Sequence, residues 1–411
     1  MSKMVSCSRE TIQGLARRLA EKSATRENQL ARQQWTDHNS LHKTRPPVLC
    51  RVWEVVFSLL GRSTAENELE RQIEDMLKVL NFKIDLADDQ VFEPCLWLPA
   101  VFKEKSLFGL LWEPESSPSG GAYRYKRVLK TLEDVKRIQT PDNQIDERAT
   151  KEMKERAEDL LDGILTIKID RMRRFRILNY AYFAANYLGM DGLLTALAEE
   201  PELMHALMRR FQDIHHDYLL TAEREGMLHL NCRGDGGIFN GNPLCTENLP
   251  QPDFDGGKVR LRDLWVYSDT QELGLVSPAM CEEFFFRYHL PLMKWFGLVN
   301  FGCCESHHNK WHLIRQIPNL RRVSVSPWTD LGEAVREMGG RVILNWRVNV
   351  SNVVTQASPQ NIRKEIRQGL KVAQGCPIEV FLQDAETVLG HDDILHTWVR
   401  IAREETERYM V

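Results

Sequence analysis

The second half of the chain alternates short apolar, β-branched runs with longer stretches whose apolar residues recur at helical spacing. The strands predicted from this pattern are 298–303, 322–325, 342–346 and 378–382. The helices predicted between and after them are 310–317, 330–338, 358–373 and 393–409. Parallel strands need a crossover of about a dozen residues, usually a helix, and the pattern supplies one each time. This order predicts βαβ units around a parallel sheet.

The first half adds five candidate strands, which brings the total to nine. They are 47–53, 91–98, 164–169, 228–232 and 264–267. Eight of these nine would close a (β/α)8 TIM barrel, and the spare is 228–232 or 264–267, because the loop between those two lacks a helical pattern. A doubly wound open sheet is the alternative, but no G-x-G-x-x-G sequence follows an early strand. We therefore expect an α/β fold of the barrel type.

The N-terminal region differs from the barrel pattern. Residues 9–34 have apolar residues at helical spacing with charges between them, which predicts an amphipathic helix. Pro46-Pro47 ends that region. The predicted divisions are a helical extension at 1–45 and a barrel at 46–411, with an insertion around 100–160.

The composition excludes several classes of partner. Lys and Arg total 54 and Asp and Glu total 58, so the formal net charge is −4 and gives no reason to expect nucleic acid or an anionic membrane. No segment resembles a signal peptide, and no stretch approaches the roughly 18 apolar residues that a spanning helix needs. Nine cysteines, an odd number, do not resemble the disulfide framework of a small secreted domain. We expect a soluble, cytoplasmic protein with reduced thiols, some of which bind metal.

In a barrel the active site lies at the carboxyl ends of the strands, so residues that directly follow a strand are candidates for function. The acidic candidates are Asp235, Asp269, Glu272, Glu305, Asp330, Asp384 and Glu386. The remaining polar candidates are Gln271, Cys303, Cys304, Arg347 and Asn349. Trp328 and Trp346 would line a pocket for a flat substrate unless they pack in the core. We expect these side chains to converge at one edge of the sheet.

The segment 300–308 places two thiols, a carboxylate and two imidazoles within a few residues of one strand end. These are the ligand types of zinc, and their spacing matches an open catalytic site with a distant ligand better than a structural motif. The alternative is that the cysteines pack in the core and that His307 and His308 lie at the exposed start of the next helix. Neighbouring strand residues point to opposite faces, so Cys303 and Cys304 reach one ion only if the strand has already ended.

Several longer motifs carry a family resemblance. They are Arg45-Pro46-Pro47-Val48, Pro250-Gln251-Pro252, Ser277-Pro278, Phe301-Gly302-Cys303-Cys304-Glu305, Pro318-Asn319-Leu320-Arg321-Arg322, Ser326-Pro327-Trp328, and the run from Trp398 to Glu405. With these motifs, most of the chain resembles the uroporphyrinogen decarboxylase-like superfamily, and in particular a bacterial branch with a Gly-Cys-Cys-Glu motif. The resemblance implies a (β/α)8 barrel, in agreement with the alternation of strands and helices.

The superfamily includes porphyrinogen decarboxylases that need no metal and zinc-dependent methyltransferases that work with corrinoid proteins. The decarboxylases have an Arg-rich sequence after the first strand, where this chain has Arg51-Val52-Trp53-Glu54-Val55-Val56. The methyltransferases have a His-x-Cys pair where this chain has Gly302-Cys303-Cys304-Glu305, and they take a further ligand from a later strand. The possible distant ligands in this chain are Asp330, Asp384 and Glu386.

The resemblance favours a zinc-dependent methyltransferase that moves a methyl group from a small methoxylated or methylamine-type substrate to a corrinoid (cobalamin) carrier. Its expected metal ligands are Cys304, Cys303 and Glu305. Its expected catalytic acids are Asp235, Asp269, Asp330 and Asp384. Its expected substrate-binding residues are Gln271, Trp328, Trp346 and Arg347. The alternatives are a metal-independent decarboxylase or lyase acting on a non-porphyrin substrate, and a barrel that binds a tetrapyrrole or corrinoid without turnover.

Overall fold

The computed structural model describes residues 2–104, 108–112, 114–116, 123–140, 144–172, 177–235 and 241–409. Part of the predicted insertion at 100–160 lies outside the described residues. Within the described ranges, no helix is both long and apolar enough to span a bilayer.

Strands of the described chain form one large sheet and two small pairs. They are β1 Val48–Cys50, β2 Cys95–Pro99, β3 Pro114–Ser116, β4 Tyr123–Tyr125, β5 Thr166–Asp170, β6 Ile177–Leu178, β7 Trp265–Ser268, β8 Leu298–Phe301, β9 Leu320–Val325, β10 Ile343–Val348 and β11 Ile378–Leu382. The large sheet has the order β1-β11-β10-β9-β8-β7-β6 and is parallel throughout. The pair β2–β5 is also parallel, and β3–β4 is antiparallel.

Helices precede, connect and follow the strands of the large sheet. They are α1 Ser2–Ser23, α2 Arg26–Asn39, α3 Glu54–Leu60, α4 Glu68–Leu86, α5 Leu132–Lys136, α6 Glu147–Leu161, α7 Tyr180–Leu188, α8 Met190–Glu199, α9 Pro201–Arg224, α10 Pro278–Cys281, α11 Arg287–Met293, α12 Trp311–Ile314, α13 Leu331–Met338, α14 Val350–Gln356, α15 Pro359–Val372 and α16 Ile394–Tyr409. A π-helical stretch, Glu282–Phe286, joins α10 to α11. The prediction of an α/β chain with a mostly parallel sheet is confirmed, whereas closure into a (β/α)8 barrel stays a prediction.

One of the two candidates for the spare strand forms no strand. Residues 264–267 correspond to β7, but 228–232 form no strand. The Asn231 side chain instead forms two hydrogen bonds with the backbone of β7. Its Nδ2 donates to the Trp265 carbonyl (2.9 Å), and its Oδ1 accepts from the Trp265 amide (3.0 Å). A side-chain amide thus replaces a backbone ladder at this point. The sequence pattern missed β6, because two residues are too few to show a period.

Alternate residues of the strands face two different environments. One face packs under the helices as the main apolar core, which includes Val266, Val299, Val323, Leu344 and Val380. The opposite face is equally buried and, beside apolar side chains such as Tyr267 and Phe381, it carries the polar residues Asn300, Arg322, Ser324, Asn345, Arg347 and Glu379. This buried polar face leads to the carboxyl edge of the sheet.

The N-terminal region forms two helices, where the sequence pattern predicts one. Thr25 begins the second helix by accepting a hydrogen bond from the Asn28 amide. The apolar face of α1 belongs to a core shared with α4, α6 and the β2–β5 pair. Helix α2 buries Trp35 and Asn39 completely against the rest of the chain. The division at residue 45 stays a prediction.

Candidate functional site

The chain turns sharply where it leaves β8 at the carboxyl edge of the sheet. Gly302 has a φ of +92°, a conformation that residues with a side chain rarely adopt. A Cβ at this position would lie 2.7 Å from His307 Nε2. Because β8 ends at Phe301, the strand rule that sends neighbouring side chains to opposite faces does not apply to Cys303 and Cys304.

Cys303 and Cys304 form a pair of neighbouring thiols. Their sulfurs lie 3.6 Å apart, and Cys303 is buried whereas Cys304 is partly exposed. Cys304 Sγ also lies 3.4 Å from Oδ2 of Asp384, an exposed residue in the loop after β11. The structure therefore brings together the end of β8 and the end of β11.

Arg347 contacts both sulfurs from the polar face of β10. Its Nη1 lies 3.5 Å from Cys303 Sγ and 3.6 Å from Cys304 Sγ, and its Nη2 donates to Ser324 Oγ (3.0 Å). The hydrogen bond from Cys304 and the positive charge of Arg347 lower the pKa of Cys303 to about 6. The same pairing raises the pKa of Cys304. One thiolate and one thiol therefore share the site at neutral pH.

Glu305 binds backbone groups around the thiol pair. Its Oε2 accepts from the Cys303 amide (2.7 Å), and its Oε1 accepts from the amide (2.9 Å) and the hydroxyl (3.3 Å) of Thr270. Ser326 Oγ donates to the Glu305 carbonyl oxygen (2.8 Å). These bonds connect the loops that follow β7, β8 and β9. The carboxylate of Glu305 thus holds the loops in place with both of its oxygens.

Two further carboxyl groups lie after β7 and interact electrostatically with Glu305 and Cys303. Burial, reinforced by the negative charges of Glu305 and Cys303, raises the pKa of Asp269 well above its ordinary value. Burial also raises the pKa of Glu272, to about 7. Among the described residues, Asp269 Oδ1 and Glu272 Oε2 have no hydrogen-bond partner. The raised pKa of Asp269 favours its protonated form.

Two of the predicted acids have other contacts. The Asp330 side chain accepts a hydrogen bond from the Glu333 amide (2.6 Å) and so caps the start of α13. Asp235 is paired with Arg233, and burial raises its pKa. Neither of these contacts involves the thiol pair.

The predicted substrate-binding residues also differ in whether they contact the thiol pair. Trp346 points to the opposite face of β10 from Arg347 and packs on α15, where a Cβ on Gly369 would lie 2.1 Å from the indole. Trp328 is 72% exposed, and Gln271 is also exposed. Of this group, Arg347 is the residue that contacts the sulfurs.

Sequence reasoning missed the polar residues inside the strands. Ser324, Asn345 and Glu379 lie level with one another in the registers of β9, β10 and β11, and each is buried. A signal for them was present, since each is a polar residue inside an apolar strand. Polar residues at such positions are buried only with hydrogen-bond partners, which suggests a polar interior.

Candidate metal ligands lie close together at the surface and at the carboxyl edge of the sheet. Asp37, His42 and Glu247 form the one group of three whose ligand atoms all lie within 4.8 Å of one another, and these side chains lie at the surface near the end of α2. At the carboxyl edge, two short distances connect Cys303, Cys304 and Asp384, but these three atoms do not meet the same criterion as a trio.

Comparisons with known proteins gave a likeness of fold. No protein-family model and no curated protein matches the sequence. Among solved structures, the chain is similar to a methyltransferase from Methanosarcina mazei, with a TM-score of 0.54 and 10% sequence identity, over 91% of this chain and 98% of that chain. At this identity, the likeness shows a shared α/β fold.

Proposed function

We propose that the protein is a methyltransferase that moves a methyl group from a small methoxylated or methylamine-type substrate to a corrinoid carrier protein, with zinc at Cys304, Cys303 and Asp384. The observation that carries this proposal is the pair of thiols beside Arg347 and Asp384 at the carboxyl edge of the sheet. The likeness in fold to a methyltransferase supports it. The motif at 301–305 points to the same class.

The donor atoms fit zinc in part. Tetrahedral zinc, with Zn–S of about 2.3 Å and Zn–O of about 2.0–2.2 Å, places neighbouring ligand atoms about 3.4–3.8 Å apart. The Cys303–Cys304 and Cys304–Asp384 distances of 3.6 and 3.4 Å agree with this spacing. Arg347 Nη1 lies on both sulfurs, so a loaded site has to accommodate the guanidinium as well. Zinc would act there as a Lewis acid on the substrate oxygen or nitrogen.

The residues of the chain itself supply charge and protons. Arg347 stabilises the Cys303 thiolate and can orient a negatively charged part of a substrate. When a methyl group leaves an ether or an amine, the departing oxygen or nitrogen takes up a proton. The raised pKa values of Asp269 and Glu272 favour their protonated forms, and these two residues are our candidates for this donor.

Large apolar side chains at the rim of the site suit a protein partner. Four such side chains lie in loops that follow strands of the large sheet. Their exposed fractions are 49% for Trp53, 102% for Leu275, 72% for Trp328 and 55% for Leu389. Exposed apolar residues that cluster around a site are typical of protein–protein contacts. We propose that the corrinoid carrier docks on this rim.

The finer features of the fold belong to the same proposal. We propose that the β2–β5 pair lies between β1 and β6, the two ends of the large sheet, and so completes a (β/α)8 barrel that follows the extension 1–45.

The described cysteines are all free thiols, which agrees with the predicted cytoplasmic location.

Metal analysis of the purified chain tests the zinc site. We expect about one zinc per chain in the native protein and loss of that zinc in Cys304→Ser and Asp384→Asn. Cys376→Ser, which changes a partly exposed cysteine before β11, is the matched control and should keep its zinc. A native protein with less than about 0.2 zinc per chain would refute the metal assignment.

Methyl transfer is tested separately, by incubating the protein with free cobalamin in the reduced state and with methoxylated or methylated amine substrates. Formation of methylcobalamin, detected by its absorbance, is the expected result. Release of carbon dioxide from a carboxylated substrate without any methylcobalamin would favour the decarboxylase alternative.

A further inference from the structure

A continuous row of buried polar side chains runs from helix α2 to the thiol pair. Asn39 Oδ1 accepts from Arg322 Nη2 (2.6 Å), and Arg322 Nε donates to Glu379 Oε1 (2.8 Å). Glu379 Oε2 accepts from Asn345 Nδ2 (2.6 Å), and Asn345 Oδ1 accepts from Arg347 Nε (3.3 Å). All five residues are at most 2% exposed. We call these five residues the polar column.

The register of the sheet sets the spacing of the polar column. Asn345 pairs with Glu379 across β10–β11 and with Ser324 across β9–β10. Arg347 is two residues further along β10, so its side chain leaves the same face as that of Asn345. The two partners of Asn345 also determine how its amide is oriented, because a carboxylate can only accept and a guanidinium can only donate.

Besides the sulfurs, neutral groups hold Arg347. Apart from the sulfurs, its described hydrogen bonds go to Ser324 Oγ and Asn345 Oδ1. A guanidinium is a rigid, planar donor, so the acceptors at Nε and Nη2 decide where Nη1 points. With those two acceptors in place, Nη1 lies on both Cys303 and Cys304.

We propose that Asn345 is a positioning residue, which holds Arg347 on the two sulfurs and is itself held by Glu379. Through Arg322 and Asn39, helix α2 then sets the geometry of the thiol pair from the far end of the sheet. This inference rests on the site assigned under the proposed function, but it requires neither the metal nor methyl transfer to be correct.

A double-mutant cycle tests this proposal on the full-length chain with a chelator present. The readout is the rate at which N-ethylmaleimide modifies Cys304, followed by peptide mass spectrometry, with Cys376 in the same molecule as the reference. We expect Arg347→Gln to lower the rate by about tenfold, because the reactive thiolate form of the pair loses one charge-assisted hydrogen bond. Asn345→Ser should change it in the same direction, and the double variant should match Arg347→Gln alone.

Two further variants separate positioning from general loosening. Asn81→Ala removes another buried asparagine, which donates to the Leu15 and Leu77 carbonyls, and it should leave the Cys304 rate unchanged. Ser324→Ala removes the second acceptor of Arg347 and should change the Cys304 rate in the same direction as Asn345→Ser. This variant tests the proposal even if Asn345→Ser does not fold.

The proposal is overturned if Asn345→Ser folds and leaves the Cys304 rate unchanged, or if its effect multiplies with that of Arg347→Gln. A parallel change at Cys376 would also overturn it, because that result shows loosening of the whole chain. Since labelling needs no substrate, a protein without methyltransferase activity can still pass or fail this test.

Discussion

At the scale of single residues, the site depends on one glycine. Gly302 combines a positive φ with close packing against His307, so a side chain there meets both backbone strain and a clash. We predict that Gly302→Ala lowers the free energy of unfolding by about 1–3 kcal/mol. Chemical denaturation measures this change. Gly340→Ala, also at positive φ but with open space around the new Cβ, is the control for strain without a clash and should cost less.

The thiol pair makes a second prediction at this scale, which concerns pH. With a pKa of about 6, Cys303 is mostly thiolate at pH 7 and becomes protonated as the pH falls through 6. With a chelator present to remove bound metal, the difference in thiolate absorbance between the native protein and Cys303→Ser should therefore titrate near pH 6. Cys304→Ala removes the largest cause of the shift, the hydrogen bond, and should move the midpoint upward. A native midpoint above pH 8 would contradict the proposed pairing.

At the scale of elements, helix caps explain residues that the strand-end argument assigned to catalysis. Asp330 follows β9, but its side chain is used at the first turn of α13. We predict that Asp330→Ala lowers the stability by about 1 kcal/mol and that Asp330→Asn, which retains the cap, has little effect. Thermal unfolding measures both changes. If both variants lose methyl transfer while they keep their stability, Asp330 is catalytic after all.

The packing of β10 on α15 explains why Trp346 does not lie beside Arg347 at the site. Trp346 and Arg347 are neighbours in β10, and the alternation of strand side chains sends them to opposite faces. Trp346 fills the space above Gly369, so it belongs to the contact between β10 and α15. Sequence reasoning identified both as strand-end residues and expected both to bind substrate. It could not tell which face of the strand lies toward the site.

At the scale of the whole molecule, the N-terminal extension is part of the buried structure. Asn39 binds Arg322 and also donates to the carbonyl oxygens of Pro243 and Cys245, which lie more than two hundred residues away in the sequence. We predict that Asn39→Ala lowers the free energy of unfolding by about 1–3 kcal/mol, because it leaves buried groups without partners.

The control for this prediction is Gln33→Ala, an exposed change on the same helix, which should stay within about 0.5 kcal/mol of the native protein. Deletion of residues 1–45 should yield a chain that does not fold. A truncated protein with a cooperative unfolding transition would show instead that the extension is an independent addition.

Local patterns determined a large part of this protein. The alternation of strands and helices predicted the α/β class and most elements of the large sheet, because a period of two or of 3.6 is visible within a few residues. The same reasoning singled out 300–308, because thiols and imidazoles seldom cluster at a strand end. It failed for 228–232, where one asparagine side chain replaces a strand.

The tertiary structure decided which of the candidates meet. Arg347 lies 44 residues from Cys303, Asp384 lies 80 residues from Cys304, and Arg322 lies 283 residues from Asn39. Such contacts depend on sheet order, register and the inward face of each strand, and no local period encodes these. The composition and the strand pattern were therefore enough for the class of fold, whereas the thiol pair, its guanidinium and the polar column behind it follow from how the strands are arranged.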